Sequence, residues 1–208
     1  MLPPKDAPEW LLFGYHSPVW ARWLKMWRQH GEPMRLLIPS EPIIRSLRAD
    51  GIIAPDALQQ NGEVYALDSL QLIRIPFLPQ HDFDRLLTLC DGLIVRGEDS
   101  FVRAQFSGKS FFWHIYPQEE QAHHEKLHAF WPLVYQHFDA AVAAAHQTLS
   151  NDLNGVVELS ESARLAAWQS LAQHSSAWQN AAQAWRNYLF SQSSATERLA
   201  NFIEDKLK

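Results

Sequence analysis

Short apolar runs alternate with amphipathic stretches between Glu9 and Pro117, and the two periods assign the elements. Glu9-Trp10-Leu11-Leu12-Phe13-Gly14-Tyr15 reads as a first strand that ends towards Ser17-Pro18. Pro18 suits the first turn of a helix, with Ser17 as its cap. Trp20, Trp23, Leu24 and Trp27 then recur at helical spacing to about Gln29. A stripe of tryptophans suits either a sugar platform or burial against a sheet, and burial is the favoured reading. Met34–Ile38 predicts a second strand, after which Ser40 caps a helix with Ile43, Ile44 and Leu47 on its inner face. Val64–Leu67 and positions 70–75 predict two more strands joined by Asp68-Ser69. The proline-bracketed turn Pro76-Phe77-Leu78-Pro79-Gln80 follows, and His81 or Asp82 opens a helix carrying Phe83, Leu86, Leu87 and Leu89.

Gly92–Arg96 is a buried strand ending in a charge. Gly97 permits a backbone conformation that a Cβ would resist, Ser100 is expected to cap the next helix, and Gly108 to close it. Positions 110–116 predict the last strand. Beyond Pro117 the pattern is helical: 119 to about 149 with a kink at Pro132, then 159–173, 175–191 and 194–207.

This alternation predicts an α/β fold, a mostly parallel Rossmann-like sheet with helices on both faces and a C-terminal helical segment. The expected organisation is a linker or leader over 1–8, a Rossmann-like domain over 9–150, and helices over 151–208 packing on the same domain. The proline-rich start reads as a chain that begins at a domain boundary. Right-handed crossovers place the loops after Phe13, Ile75, Val95 and Ile115 along one edge of the sheet.

Those loops gather Phe13, Tyr15, Phe77, Gln80, Phe83, Arg96, Glu98, Asp99, Ser100 and Tyr116. Aromatic rings can sandwich a base and Gln can bond its edge. Arg96 and the N–H groups of a helix start suit a diphosphate, and carboxylates suit sugar hydroxyls. The set matches a nucleotide-sugar. The competing reading makes Phe77 and Phe83 core and Glu98 and Asp99 a solvated helix start, and chemistry alone leaves the two balanced. Neither GxGxxG nor GxxxxGK[ST] is present, which weakens dinucleotide and P-loop readings. Arg103 and Lys109 read as helix-surface charges with a secondary reading as positive field for a diphosphate. His114 reads as a satisfied core histidine.

Composition narrows the class. A net charge of −5 argues against a global nucleic-acid surface. The one cysteine, Cys90, excludes an internal disulfide and fits a reducing compartment, so cytoplasmic residence without membrane contact is expected; Cys90 itself reads as structural. No stretch reads as a signal peptide, transit peptide or membrane span. His124-Glu125-Lys126-Leu127-His128 is a literal HExxH, with both histidines on one helical face and Glu158 or Glu161 as conceivable third zinc ligands. A surface helix in a His- and Glu-rich segment is the favoured alternative to a zinc-dependent hydrolase. A non-catalytic protein-interaction module, with its Trp-rich helices as the binding face, is the other competing class.

Arg96-Gly97-Glu98-Asp99-Ser100-Phe101-Val102-Arg103-Ala104-Gln105, followed by Trp113-His114-Ile115-Tyr116-Pro117-Gln118, resembles the protein-arginine rhamnosyltransferases of bacterial elongation factor P. The resemblance extends to Pro76-Phe77-Leu78-Pro79-Gln80 and Asp82-Phe83-Asp84-Arg85-Leu86-Leu87, and forwards through Ala122-His123, Lys126-Leu127 and Ala129-Phe130. It implies a GT-B architecture of two Rossmann-like domains, of which this chain is the C-terminal, donor-binding one. It further implies inverting transfer of L-rhamnose from dTDP-β-L-rhamnose to an arginine of elongation factor P, with no cofactor and no metal. By the same resemblance Phe77, Gln80 and Phe83 surround the thymidine, with Phe13 and Tyr15 adding to the pocket. Arg96, Ser100 and Tyr116 hold the diphosphate, and Glu98 and Asp99 the ribose or rhamnose. Arg96 and Tyr116 would also stabilise the leaving group. The family's proposed catalytic aspartates lie near the start of the N-terminal domain, so this chain alone is expected to bind donor and catalyse little.

Overall fold

The computed structural model describes residues 5–39, 41–118 and 121–207. Six strands form one sheet in the order β3-β4-β2-β1-β5-β6: β1 Glu9–Leu12, β2 Met34–Ile38, β3 Val64–Leu67, β4 Leu70–Arg74, β5 Gly92–Arg96 and β6 Ser110–His114. All neighbouring pairs are parallel except β3 with β4, a hairpin turned at Asp68, whose φ is +54°. The Rossmann-like α/β expectation therefore holds, with one antiparallel strand at the edge.

Strand period explains the two cores. On β1, Trp10 and Leu12 face one layer while Leu11 and Phe13 face the other. The first layer is closed by α1 Val19–His30 and α2 Glu41–Ala49, together with α6 Ala140–Leu153 and α7 Glu161–Gln173. Trp20, Trp23 and Trp27 are all 1% exposed or less, which places the tryptophan stripe in the core. The second layer is closed by α3 Gln80–Leu89, α4 Asp99–Ser107 and α5 Ala122–Tyr135. From α8 Ser175–Ser191, Trp178 joins the first core and Trp185 the second. A ninth helix, α9, spans Ala195–Leu207.

Some boundaries differ from the sequence expectation. A single helix from 119 to 149 with a kink at Pro132 is not what forms. α5 runs through Pro132 to Tyr135, and the chain breaks at 136–139, where Asp139 accepts a hydrogen bond from Val142 N at 2.9 Å and starts α6. α6 continues through position 150 to Leu153. Ser17 accepts from Val19 N at 3.2 Å, although the residue at the cap position of α1 is Pro18. Ser40, the expected cap of α2, and Glu119 lie outside the described residues. Among the described residues no helix is long and apolar enough to cross a membrane.

Candidate functional site

The crossover from the β1-β2-β4 side of the sheet to β5-β6 leaves a crevice at the carboxyl ends of β1 and β5, where open α/β sheets place ligands. A cleft of about 350 Å³ occupies it, walled by Phe13, Tyr15, Phe77, Gln80, Phe83 and the turn from Arg96 to Ser100. Nine of the ten residues gathered from the sequence therefore share one cleft. The tenth, Tyr116, is 60% exposed beside it and leans edge-on against Tyr15 with 5.2 Å between ring centroids. Pro39 and Leu78 also line the cleft without having been anticipated. Pro39 follows β2 at the same sheet edge, which is the signal that would have found it.

One wall is aromatic. Phe13 continues β1 by donating its N–H to Ile94 O at 2.8 Å and packs against Phe83 at 5.5 Å and Phe77 at 6.0 Å. Phe77 is 72% exposed, so the core reading does not hold for it. An exposed aromatic ring at a cleft rim, with exposed Gln80 opening α3 beside it, is available to a planar ligand.

The adjoining wall is built around Arg96. Its guanidinium lies 4.5 Å from the Phe13 ring centroid and 4.9 Å from that of Tyr15, and Nη1 donates to Gly14 O at 3.2 Å. Burial lowers the Arg96 pKa and raises that of the Tyr15 hydroxyl, whose rise the neighbouring guanidinium opposes. A guanidinium remains charged under these conditions, so the cleft contains a partly desolvated cation with nearby rings fixing its plane. Gly14 leaves no room for a side chain on its other flank, where a Cβ would run into the Trp20 ring and stand 3.0 Å from His114 Nδ1.

The turn itself is held from two sides. Gly97 has φ +66°, as its residue type suggested, and its carbonyl accepts from Trp113 Nε1 at 2.8 Å. Ser100 does not cap α4. Glu98 occupies the cap position without a side-chain cap bond, and the Ser100 hydroxyl donates back to the Arg96 carbonyl from inside the first helical turn. The reason is one of register: the helix begins two residues earlier than expected, at Asp99. Its first N–H groups thus lack a side-chain cap and point along the axis into the crevice. Asp99 is paired to Arg103 Nε at 2.8 Å, and Arg103 also reaches Asp84 on α3 at 2.8 Å. Glu98, 86% exposed, is the freer carboxylate, with Lys126 at 3.9 Å.

The remaining candidates are engaged elsewhere. His114 is buried, accepts from Tyr15 N through Nδ1 at 3.1 Å, and has its pKa pushed down to about 3 by burial and by the nearby Arg96 charge. Burial pushes the Cys90 thiol up to about 12, which keeps it protonated and unreactive. In the HExxH segment, His124 Nε2 donates to the Asn154 carbonyl at 3.2 Å and Leu127 is buried. The conceivable third ligands are ion-paired to α1, Glu158 to Arg22 and Glu161 to Lys25. Among the described residues no group of three or more His, Cys, Asp or Glu is placed to hold a metal ion.

Comparison with known proteins places the chain in a family. Residues 1–204 match the family described as elongation-factor P (EF-P) rhamnosyltransferase EarP. A protein-arginine rhamnosyltransferase of Neisseria meningitidis is 55% identical over 208 residues, covering 100% of this chain and 54% of the relative. One from Pseudomonas aeruginosa is 36% identical over 197 residues, covering 94% and 50%. A solved structure described as the structural basis for EarP-mediated arginine glycosylation of translation elongation factor EF-P superposes with a TM-score of 0.81 at 30% identity, covering 98% of this chain and 62% of that one. The chain thus spans about half the length of the curated relatives it matches. On the extent of the family match and the identity to these relatives, the chain belongs to the EarP family of elongation-factor P rhamnosyltransferases.

Proposed function

We propose that this chain is the donor-binding, C-terminal half of a GT-B glycosyltransferase that transfers L-rhamnose from dTDP-β-L-rhamnose to an arginine of elongation factor P with inversion, in the cytoplasm. The observation that carries the proposal is the joining of two walls in one cleft: an aromatic one fit for a base, and an oriented guanidinium at a helix start fit for a diphosphate. In this reading Phe77, Gln80 and Phe83 surround the thymine ring, with Phe13 beneath them. Arg96, Tyr116 and the first N–H groups of α4 hold the diphosphate. Ser100 contributes its backbone N–H, because its hydroxyl proton is committed to Arg96. Glu98 takes the sugar hydroxyls, since Asp99 is tied to Arg103.

The chemistry follows from that placement. A guanidine nitrogen of the acceptor attacks the anomeric carbon from the face opposite the diphosphate, forming a C–N bond as the C–O bond to the phosphate breaks. Negative charge grows on the departing dTDP, where Arg96, Tyr116 and the helix start stabilise it. A carboxylate on the acceptor side removes the guanidine proton. We assign it to the half of the full-length relatives that this chain does not match, so that the 208 residues alone bind donor and turn over little.

Calorimetric titration of the chain with dTDP-rhamnose, dTDP and UDP tests this. Binding of both thymidine ligands with weaker binding of UDP is the expected result. Equal affinity for UDP and dTDP, or no binding of any of the three, would overturn the assignment.

A further inference from the structure

We infer that Asn154, braced by His124, is a positioning residue for the diphosphate side of the cleft. The inference rests on the nucleotide-sugar reading above. β6 is the last strand of the sheet, so among the described residues its outer edge has no neighbouring strand. Beyond the α6 helix, the Asn154 side chain takes that neighbour's place. Its Oδ1 accepts from Ile115 N at 2.9 Å, while its Nδ2 donates to Trp113 O at 2.8 Å and to Ser150 O at 2.9 Å. Bonding the N–H after and the C=O before one residue is the slanted pattern by which a parallel strand grips its partner. Here the gripped residue is His114. The amide is buried, with Asn154 8% exposed, and its orientation is set by its partners, because one atom faces an N–H and the other faces two carbonyls.

What the clamp holds is the support of the cation. His114 accepts the backbone N–H of Tyr15, and the Tyr15 ring stands 4.9 Å from the Arg96 guanidinium. Two residues beyond His114, Tyr116 leans on the same Tyr15 ring. A shift of the backbone at 113–116 therefore moves both Tyr15 and Tyr116. It leaves Phe77, Gln80 and Phe83 in place, because they belong to the loop after β4 and to α3. The Asn154 carbonyl in turn accepts from His124, which gives the first histidine of the HExxH segment a hydrogen-bonding role here.

The distinguishing property is selective loss. In NMR titrations of the 208-residue chain, Asn154→Ala is expected to weaken dTDP binding about five- to tenfold, the factor that corresponds to roughly one net hydrogen bond of lost positioning. Thymidine, which has no diphosphate, is expected to bind as it does to the wild type. A variant that weakens both ligands equally, or neither, overturns the inference. Should Asn154→Ala fail to fold, His124→Ala removes only the brace from the half-exposed side. The same fall in the dTDP-to-thymidine affinity ratio is then expected at smaller size, and an unchanged ratio overturns the inference. A wild-type chain that binds neither ligand defeats the nucleotide-sugar reading and this inference with it. Wild-type binding with an unaltered ratio in the variants defeats the positioning role alone.

Discussion

Arg96 shows how much a single residue gains from its neighbours. An arginine at a strand end would ordinarily be mobile and solvated, but two rings and the Gly14 carbonyl limit this one to a narrow set of orientations. A side chain ordered before the ligand arrives loses less entropy on binding, which is the advantage of preorganisation. Arg96→Ala is therefore expected to weaken dTDP binding by about 1.5–3 kcal/mol, the range for a hydrogen bond to a charged group. Calorimetry that returned the wild-type affinity for the variant would remove Arg96 from the proposed diphosphate site. The residue type and its place after an apolar run were legible in the sequence. The carbonyl and rings that orient it were not, since Gly14 and Arg96 are 82 positions apart.

At the scale of elements, the helices behind the sheet depend on one buried acidic residue. Asp152, at the end of α6 and fully buried, binds Arg164 of α7 through both carboxylate oxygens at 2.7 and 2.8 Å and accepts from Trp23 Nε1 of α1 at 2.9 Å. Three helices thus meet at one carboxylate. Arg164 is 2% exposed, so removing its partner leaves a buried charge uncompensated. Asp152→Ala is expected to cost about 3–5 kcal/mol of stability. Urea unfolding that placed the variant within 1 kcal/mol or so of wild type would show that the helices hold together without this carboxylate. Periodicity alone does not reveal the pair, because an Asp and an Arg in consecutive polar-rich helices look like ordinary surface charges. The same limit explains the helix boundaries: Pro132 signalled a kink in one long helix, yet the chain breaks later, where Asp139 caps a new start.

For the molecule as a whole, acid is the condition that should expose its construction. His114 and His146 are both fully buried, and burial pushes their pKa values down to about 3 and about 4. The unfolded chain takes up these protons below about pH 6.5, whereas the folded chain does not. The stability tied to the neutral rings is therefore complete above that value and falls as the pH drops toward the folded values. For the pair the loss is on the order of 2–3 kcal/mol per pH unit between pH 6 and 4. Urea midpoints measured at pH 7, 6 and 5 check this, and a constant midpoint would mean that both rings can be protonated in place. What the sequence determined by itself was local in origin: the apolar periods of 2 and 3.6, the turn glycine at 97, and the contiguous motif from Arg96 to Gln105 that carried the family. These are properties of neighbours along the chain, and they sufficed for an α/β sheet and for nine of the cleft's residues. The tertiary structure alone decided which charges are free and which are committed. Asp99 is drawn to Arg103, the Ser100 hydroxyl to the Arg96 carbonyl, His124 to Asn154, and Phe77 out to the rim. Hydrogen bonds and ion pairs are exclusive and act over a few ångströms, so the assignment of each polar group requires knowing which distant segments the fold brings alongside it.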